Sequence, residues 1–286
     1  MNNSSCAMDL QFRPAANSME HRHDTWEWTG YGLTDRGLIR TSNQDAFLVD
    51  NRRRLWAVAD GMGGHPGGDV ASRLVVDTLA DFAPPLCLGT APGHASDDER
   101  ARFLLTTMVE QAHATIRAHA ERMPSLIGMG TTLVMAHLLP LNPPRLLTLN
   151  VGDSRAYLIR AHTITQLTRD HTLIEDSIRE GRLTPVQAQR HPDRHVLTRA
   201  LGLGSTVESD LVVSDLQHGD LLLLCSDGLT NMLTNEDILK IVLPHAHDAH
   251  HATRSLMQAA HDRGGIDNVT VVTCAVIDTT TQAISH

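Results

Sequence analysis

Four apolar runs in this 286-residue chain stop or start at an aspartate, and that arrangement constrains the fold more than any other feature. Leu55-Trp56-Ala57-Val58-Ala59 ends in Asp60, which is followed by Gly61-Met62-Gly63-Gly64. Leu146-Leu147-Thr148-Leu149-Asn150-Val151 runs into Gly152-Asp153-Ser154-Arg155, and Leu221-Leu222-Leu223-Leu224-Cys225 runs into Ser226-Asp227-Gly228. Asp267-Asn268 opens the run Val269 to Ile277. Short apolar runs bounded by turn residues read as buried strands, so each carboxylate is delivered at a strand end. A single Asp-Gly is an ordinary turn dipeptide. Four aspartates on one sheet edge would instead repel one another unless cations lay between them. Carboxylate oxygens and a backbone carbonyl left accessible by Gly61, Gly63 and Gly64 suit Mg²⁺ or Mn²⁺, and no Cys or His spacing asks for a softer ion there.

The rest of the chain reads as strands, two helices, strands and two more helices. Trp26 to Leu33 and Asp45 to Asp50 are predicted strands, with Asn51-Arg52-Arg53 as a solvated turn into the Asp60 strand. Val70, Leu74, Val75, Thr78 and Leu79 recur at helical spacing, with Asp69 as N-cap and an end near Phe82. Ser96-Asp97-Asp98-Glu99 forms a capping box for a long amphipathic helix that stops before Pro124. Thr131 to Leu139, Arg145 to Val151, Arg155 to Ile159 and Thr163 to Leu167 have hairpin-scale connections, which favours an antiparallel meander. Leu221 to Ser226 is apolar throughout, so both of its faces should be covered. Thr234 caps the next helix, and a last helix runs from about Asp248 to Arg263. His245, His247, His250 and His251 cluster there. His247 and His251 sit one turn apart, a spacing able to clip zinc, but no Cys or carboxylate completes a set and a solvated helix face is the reading.

Residues 1–25 are polar and aperiodic and read as a disordered tail, with residues 26–280 as a single domain because no linker, repeat or low-complexity block divides them. The net charge of -9 argues against nucleic acid as a partner, which needs a basic face. Four cysteines, Cys6, Cys87, Cys225 and Cys274, show no pairable spacing, and a cytoplasmic location is expected. No stretch approaches the roughly 18 continuous apolar residues of a membrane span, and no signal-peptide core precedes Ser4-Ser5-Cys6.

Seven segments, taken in order, resemble the motifs of bacterial metal-dependent protein phosphatases of type 2C. They are Thr34 to Asp45 (TDRGLIRTSNQD), Ala59 to Gly64 (ADGMGG), Gly128 to Thr132 (GMGTT), Val151 to Arg155 (VGDSR), Leu197 to Gly202 (LTRALG), Ser226 to Leu229 (SDGL) and Asp267 to Thr270 (DNVT). The resemblance covers about Tyr31 to Ile277, and seven motifs in one order is a specific match. It implies an α+β fold, a four-layer αββα sandwich of two antiparallel sheets flanked by helices. It also implies hydrolysis of phosphoserine and phosphothreonine monoesters through a metal-bridging hydroxide, with two core Mn²⁺ or Mg²⁺ ions.

By the same resemblance Asp60 bridges the two ions, Asp227 and Asp267 complete one site, and the Gly61 carbonyl serves the other. Asp153 with Asp227 matches a third, weaker site. Asp45 and Asn268 are expected behind the ligands, orienting water. Arg40, on the strand entering Asp45, is the guanidinium expected to grip the substrate phosphate. Asp170 to Leu201, a mostly polar insertion with Thr184-Pro185 as cap and first helical residue, falls where the family carries a flap over the substrate. Eukaryotic relatives place a histidine after the Asp-Gly pair, where this chain has Met62. Metal-bound water, His65 or His191 could act as general acid instead, and the sequence leaves that choice open.

The expected partners are phosphorylated proteins and an opposing Ser/Thr kinase, and a monomer is expected. Two other readings stand beside this one. The first is a catalytically silent phosphoprotein-binding regulator on the same fold, against which the complete set of aspartates argues. The second is a phosphatase of small metabolites, which comparison of phosphoprotein with nucleotide turnover would distinguish.

Overall fold

A computed structural model of the chain describes residues 21–23, 26–62, 67–82, 97–188 and 191–279. The expected tail therefore lies mostly outside the described residues, as do Cys6, Cys87, His65, Gly63, Gly64 and the Ser96 cap. In chain order the elements are β1 (His21–His23), β2 (Trp26–Asp35), β3 (Asp45–Asp50), β4 (Leu55–Asp60), α1 (Gly68–Phe82), α2 (Asp97–Arg122), β5 (Leu133–Leu139), β6 (Arg145–Val151), β7 (Arg155–Arg160) and β8 (Thr163–Gln166). They continue with α3 (Leu173–Arg179), α4 (Pro185–Ala188), β9 (Asp210–Asp215), β10 (Leu221–Cys225), α5 (Asp227–Thr230), α6 (Asn235–Val242), α7 (Ala249–Asp262) and β11 (Val269–Asp278).

Two antiparallel sheets result, one in the order β1-β2-β11-β10-β7-β8 and the other β3-β4-β5-β6-β9. Alternation along the strands explains their stacking. On β10, Leu221, Leu223 and Cys225 face a core shared with Leu256 and Ala260 of α7, while Leu222 and Leu224 face the second sheet. On β4, Leu55, Ala57 and Ala59 pack under Val75 and Leu79 of α1 and Leu105 of α2, while Trp56 and Val58 enter the space between the sheets. That inter-sheet layer also holds Trp28, Val134, Ala136, Val272 and Cys274. The order helices, sheet, sheet, helices is the expected four-layer α+β sandwich. Trp56 is fully buried at its centre, and Trp56→Ala would cost about 3–5 kcal/mol through the cavity it leaves.

Several expectations change. The segment from 131 to 167 is not one meander. β5 and β6 pair in one sheet, β7 and β8 in the other, and the Gly152-Asp153-Ser154 turn carries the chain across. Gly152 takes φ of 103°, a conformation that a Cβ disfavours. Its N–H donates to His171 Nδ1 at 3.1 Å, and Ser154 Oγ meets Thr132 Oγ1 at 2.6 Å, so the turn is tied to the segment that leads into α3 and to the residue before β5. Two edge strands escaped the sequence reading. β1 lies within the expected tail and pairs with β2, and β9 is a short, half-exposed strand beside β6. Asp69 stands inside the first turn of α1 rather than capping it. The Thr234 capping box is present as expected, with Asp237 closing it.

Candidate functional site

β4 carries Asp60 to the rim of the second sheet, where Asp45 faces it across the β3–β4 ladder. Asp60 is fixed through its backbone: its N–H donates to Thr132 Oγ1 at 3.0 Å, and its carbonyl accepts from Thr131 Oγ1 at 2.8 Å and from the Thr132 N–H at 2.9 Å. The carboxylate is left for other partners. Gly61 bridges to Thr131, and its N–H donates to the Gln44 carbonyl at 3.1 Å. A Cβ on Gly61 would run into the Gly68 carbonyl, so the start of α1 can close against this turn only over glycine. Thr131 pairs on its other side with Leu201, which explains structurally why the Gly128 to Thr132 segment matters: one residue joins the Asp60 turn to the end of segment 170–201.

The first sheet supplies the other carboxylates from the opposite side. Asp227 opens α5 directly after β10, and its Oδ2 accepts from Asn231 Nδ2 at 3.1 Å. Gly228 lies against the Asn268 carbonyl with no room for a Cβ, so the start of α5 and the head of β11 are held together. Asp267 precedes β11; its Oδ1 accepts from the Asn268 N–H at 2.8 Å and its Oδ2 from Arg40 Nη2 at 2.7 Å. Asp153 arrives on the turn that crosses between the sheets.

Asp60, Gly61, Asp153, Asp227, Asp267, Asn268 and Arg40 all line one cleft of about 1300 Å³. Asp45 sits behind it, with Oδ2 accepting from Thr270 Oγ1 at 2.7 Å and Ser226 Oγ at 2.8 Å. Its Oδ1 is buried with no hydrogen-bond partner among the described residues. Sequence reasoning did not single out Ser226 or Thr270.

Two expected roles change on this geometry. Arg40 lies in the irregular segment between β2 and β3, not on a strand, and that segment is what lets it reach across to Asp267. Asn268 does not turn its amide to water in the cleft. Its Oδ1 accepts from the Gln44 N–H at 2.9 Å and its Nδ2 donates to the Arg36 and Ser42 carbonyls at 2.8 and 2.9 Å, so it pins the Arg40 segment to the head of β11.

The electrostatics follow from crowding. Burial, and then the charges of Asp45, Asp227, Asp153 and Asp267, push the Asp60 carboxyl well above the usual carboxylate range. Burial raises Asp45 to about 7 with help from Asp227, against the pull of its hydrogen bonds from Thr270 and Ser226. Burial, then Asp227 and Asp170, raise Asp153 to about 8. Asp227 is raised by burial and then by Asp267. Such a set is costly to ionise alone and binds cations for the same reason. Its donors are all oxygen, which fits hard divalent ions.

Segment 170–201 contains α3 and α4 and is closed at its base, where the Leu173 N–H donates to the Val196 carbonyl at 2.9 Å and the Thr198 N–H to the His171 carbonyl at 2.8 Å. Its return limb brings Arg194, His195, Leu197, Thr198, Arg199 and Ala200 to the cleft. His191 is turned to its own loop, where its Nδ1 accepts from the Asp193 N–H at 3.2 Å, whereas the charge of His195 reaches Asp227. Of the described histidines, His195 is therefore the one placed at the cleft, four residues beyond His191, while the other candidate, His65, lies outside the described residues.

Residues 39–262 match the family model for protein phosphatase 2C. The chain belongs to the protein phosphatase 2C family. Among curated proteins it is 41% identical over 249 residues to the serine/threonine protein phosphatase PstP of Mycobacterium tuberculosis, covering 86% of this chain but 44% of that one. The chain thus spans less than half the length of those relatives. It is 38% identical over 243 residues to the serine/threonine phosphatase stp of Listeria monocytogenes, covering 84% of this chain and 92% of that one. Among solved structures it is similar to the PstP catalytic domain in complex with two manganese ions, with a TM-score of 0.74, 37% identity and coverage of 89% and 100%. It is similar as well to Stp1 of Staphylococcus aureus, with a TM-score of 0.76, 31% identity and coverage of 90% and 99%. Among the described residues, no helix is long and apolar enough to cross a membrane.

Proposed function

We propose that this chain is a metal-dependent protein serine/threonine phosphatase that hydrolyses phosphoserine and phosphothreonine monoesters, and that Asp60, Gly61, Asp227 and Asp267 hold its two core Mn²⁺ or Mg²⁺ ions. The observation that carries the reading is a cleft lined by Asp60, Asp153, Asp227 and Asp267, with Asp45 behind them, whose carboxylates raise one another's proton affinity until a multivalent cation relieves them. The bound ions supply Lewis acidity toward a phosphoryl oxygen and lower the pKa of water. We assign Asp153, with Asp227, to a third and more solvated site.

The remaining work belongs to the chain's own side chains. Arg40 swings from Asp267 to the phosphate and holds it bidentately. Asp45 offers its unpartnered Oδ1 as a proton acceptor behind Asp60. His195 delivers a proton to the leaving serine or threonine oxygen, a role supported by its place in the cleft and by Met62 standing where a histidine would otherwise follow the Asp-Gly pair. Asn268 holds the Arg40 segment in register. The return limb of segment 170–201 covers the substrate.

A polypeptide substrate is favoured over a small metabolite because the cleft, at about 1300 Å³, is larger than the roughly 300–1,000 Å³ typical of sites that enclose small ligands. Its walls also mix the apolar Leu197, Leu203, Val207, Met232 and Ile266 with Arg194, Arg199 and Glu208. The reaction that supplies its substrate is then that of a Ser/Thr kinase. The buried free thiols of Cys225 and Cys274 are consistent with a reducing cytoplasm. Turnover of a phosphothreonine peptide against that of nucleotides, each with Mn²⁺, tests the assignment. Faster turnover of nucleotides would replace the protein substrate with a metabolite.

A further inference from the structure

The turn that enters α7 gathers metal-ligating side chains that the cleft does not use. Asp248 is the N-cap of α7, and its Oδ1 accepts the His251 N–H at 2.9 Å. Its Oδ2 lies 2.6 Å from His251 Nδ1. A ring nitrogen of His250 completes the group, because one ligand atom from each of Asp248, His250 and His251 lies within 4.8 Å of the other two. All three side chains are exposed. The ring of His245 is stacked on His251 at 5.8 Å between centroids, and the ring of His250 rests edge-on against Tyr31 of β2 at 4.6 Å, which limits its freedom. The sequence had paired His247 with His251. In the structure His247 lies before the helix, its ring 5.8 Å from that of His218, and the carboxylate which that pair lacked is supplied by Asp248.

We propose that Asp248, His250 and His251 form a surface site for a divalent transition ion of the zinc type, chemically and spatially separate from the carboxylate centre. Two imidazoles and one carboxylate are a donor set that Zn²⁺ accepts, and His245 stands beside them as a fourth donor. The two sites sort ions by ligand type: all-oxygen donors in the cleft take Mg²⁺ or Mn²⁺, whereas imidazole nitrogen favours the later first-row metals. The proton shared between Asp248 Oδ2 and His251 Nδ1 is the one that a metal displaces, so binding releases protons to solvent. The partial positive charge of the helix N-terminus opposes a cation, but the full negative charge of Asp248 sits at the same point and outweighs it. α7 has 14 residues and is about 20 Å long, and its far end leads through Gly264 and Gly265 to Asp267, so an ion at Asp248 is remote from the reaction. Occupancy would fasten the turn after α6 to the first turn of α7.

The test is equilibrium dialysis of the full chain against Zn²⁺ in excess Mg²⁺, which keeps the carboxylate centre filled, with bound zinc counted by mass spectrometry. Wild type is compared with His250→Ala/His251→Ala and with Asp248→Asn, which keeps a good helix cap but removes the charge. The expected result is one fewer zinc per chain in both variants, a zinc-induced rise in Tm of about 3 °C in wild type alone, and unchanged Mg²⁺-dependent phosphopeptide turnover in all three. Equal zinc content in wild type and the folded Asp248→Asn protein would overturn the site. Loss of turnover in either variant would overturn its separateness from the cleft.

Discussion

Arg40 Nη2 lies 2.7 Å from Asp267 Oδ2, so the guanidinium proposed to hold the substrate phosphate is joined to a carboxylate proposed to hold metal. The pair is half open to solvent on the arginine side, and such pairs are worth about 0–1 kcal/mol. A charge-assisted hydrogen bond to phosphate is worth about 1.5–3 kcal/mol, so the phosphate wins the competition when it arrives. Arg40→Ala should lower kcat/KM for a phosphothreonine peptide roughly 10- to 150-fold with Mn²⁺ stoichiometry intact. Steady-state kinetics and metal counting on one preparation check this, and lost metal would make Arg40 a scaffold for Asp267 instead.

Asp227→Asn and Asp267→Asn should each cut turnover by orders of magnitude while leaving the metal-free fold at least as stable, because each removes a charge that burdens its neighbours. Rate and Tm are read together. Near-normal turnover at modest Mn²⁺ would remove that residue from the ligand set.

The raised carboxyls give the metal-free protein a definite pH response. Asp45 at about 7 and Asp153 at about 8 bind protons in the folded chain that the unfolded chain, titrating near 4, has already released. Between those limits the native state binds more protons, so stability is greatest below about pH 4 as far as these two groups are concerned and falls as pH rises through 7 to 8. Tm of chelator-treated protein should therefore drop from pH 5.5 to pH 8.5 by more than in Asp153→Asn, and saturating Mn²⁺ should remove much of the slope. A flat profile without metal would contradict the crowding.

Asp153→Ala separates turn from site. The turn is held by the Gly152 N–H on His171 and by Ser154 on Thr132, neither of which needs the Asp153 carboxylate. Tm should be unchanged or higher, the two core ions retained and phosphopeptide turnover sharply reduced. A variant that melts much earlier yet keeps wild-type turnover per folded molecule would return Asp153 to a turn role.

Proton delivery by His195 has a kinetic signature of its own. His195→Gln should slow phosphothreonine peptides by about 10²-fold or more, while p-nitrophenyl phosphate, whose leaving group needs no proton, should be nearly unaffected. Equal slowing of both substrates would assign His195 to binding.

The parts of this architecture that were legible in the sequence are those where local pattern and final environment agree. β10 reads as doubly covered because Leu221 to Cys225 are apolar without interruption, and both faces are covered. Asp60, Asp153, Asp227 and Asp267 were found because apolar runs deliver them. The switch of sheets at Gly152 was hidden, since a hairpin and a crossover of this length share the same turn residues. β9 was missed because a short, half-exposed edge strand, with only Leu211 and Val213 packed on the core, has little apolar pattern to show. The anchoring role of Asn268 depends on contacts with residues 224 to 232 positions away, and the place of His195 on how a loop returns, and no local period encodes either.

The central claim is that the cleft works only with its divalent ions, and it is tested most directly by stripping the chain with chelator, adding Mn²⁺ back in steps and following bound metal and phosphothreonine-peptide hydrolysis together. The account predicts no hydrolysis in the stripped protein and recovery that begins only once the two core sites are filled, two being the number of manganese ions in the PstP complex, and that becomes complete with the third site at Asp153. Full hydrolysis in excess chelator, with no metal bound, would contradict it.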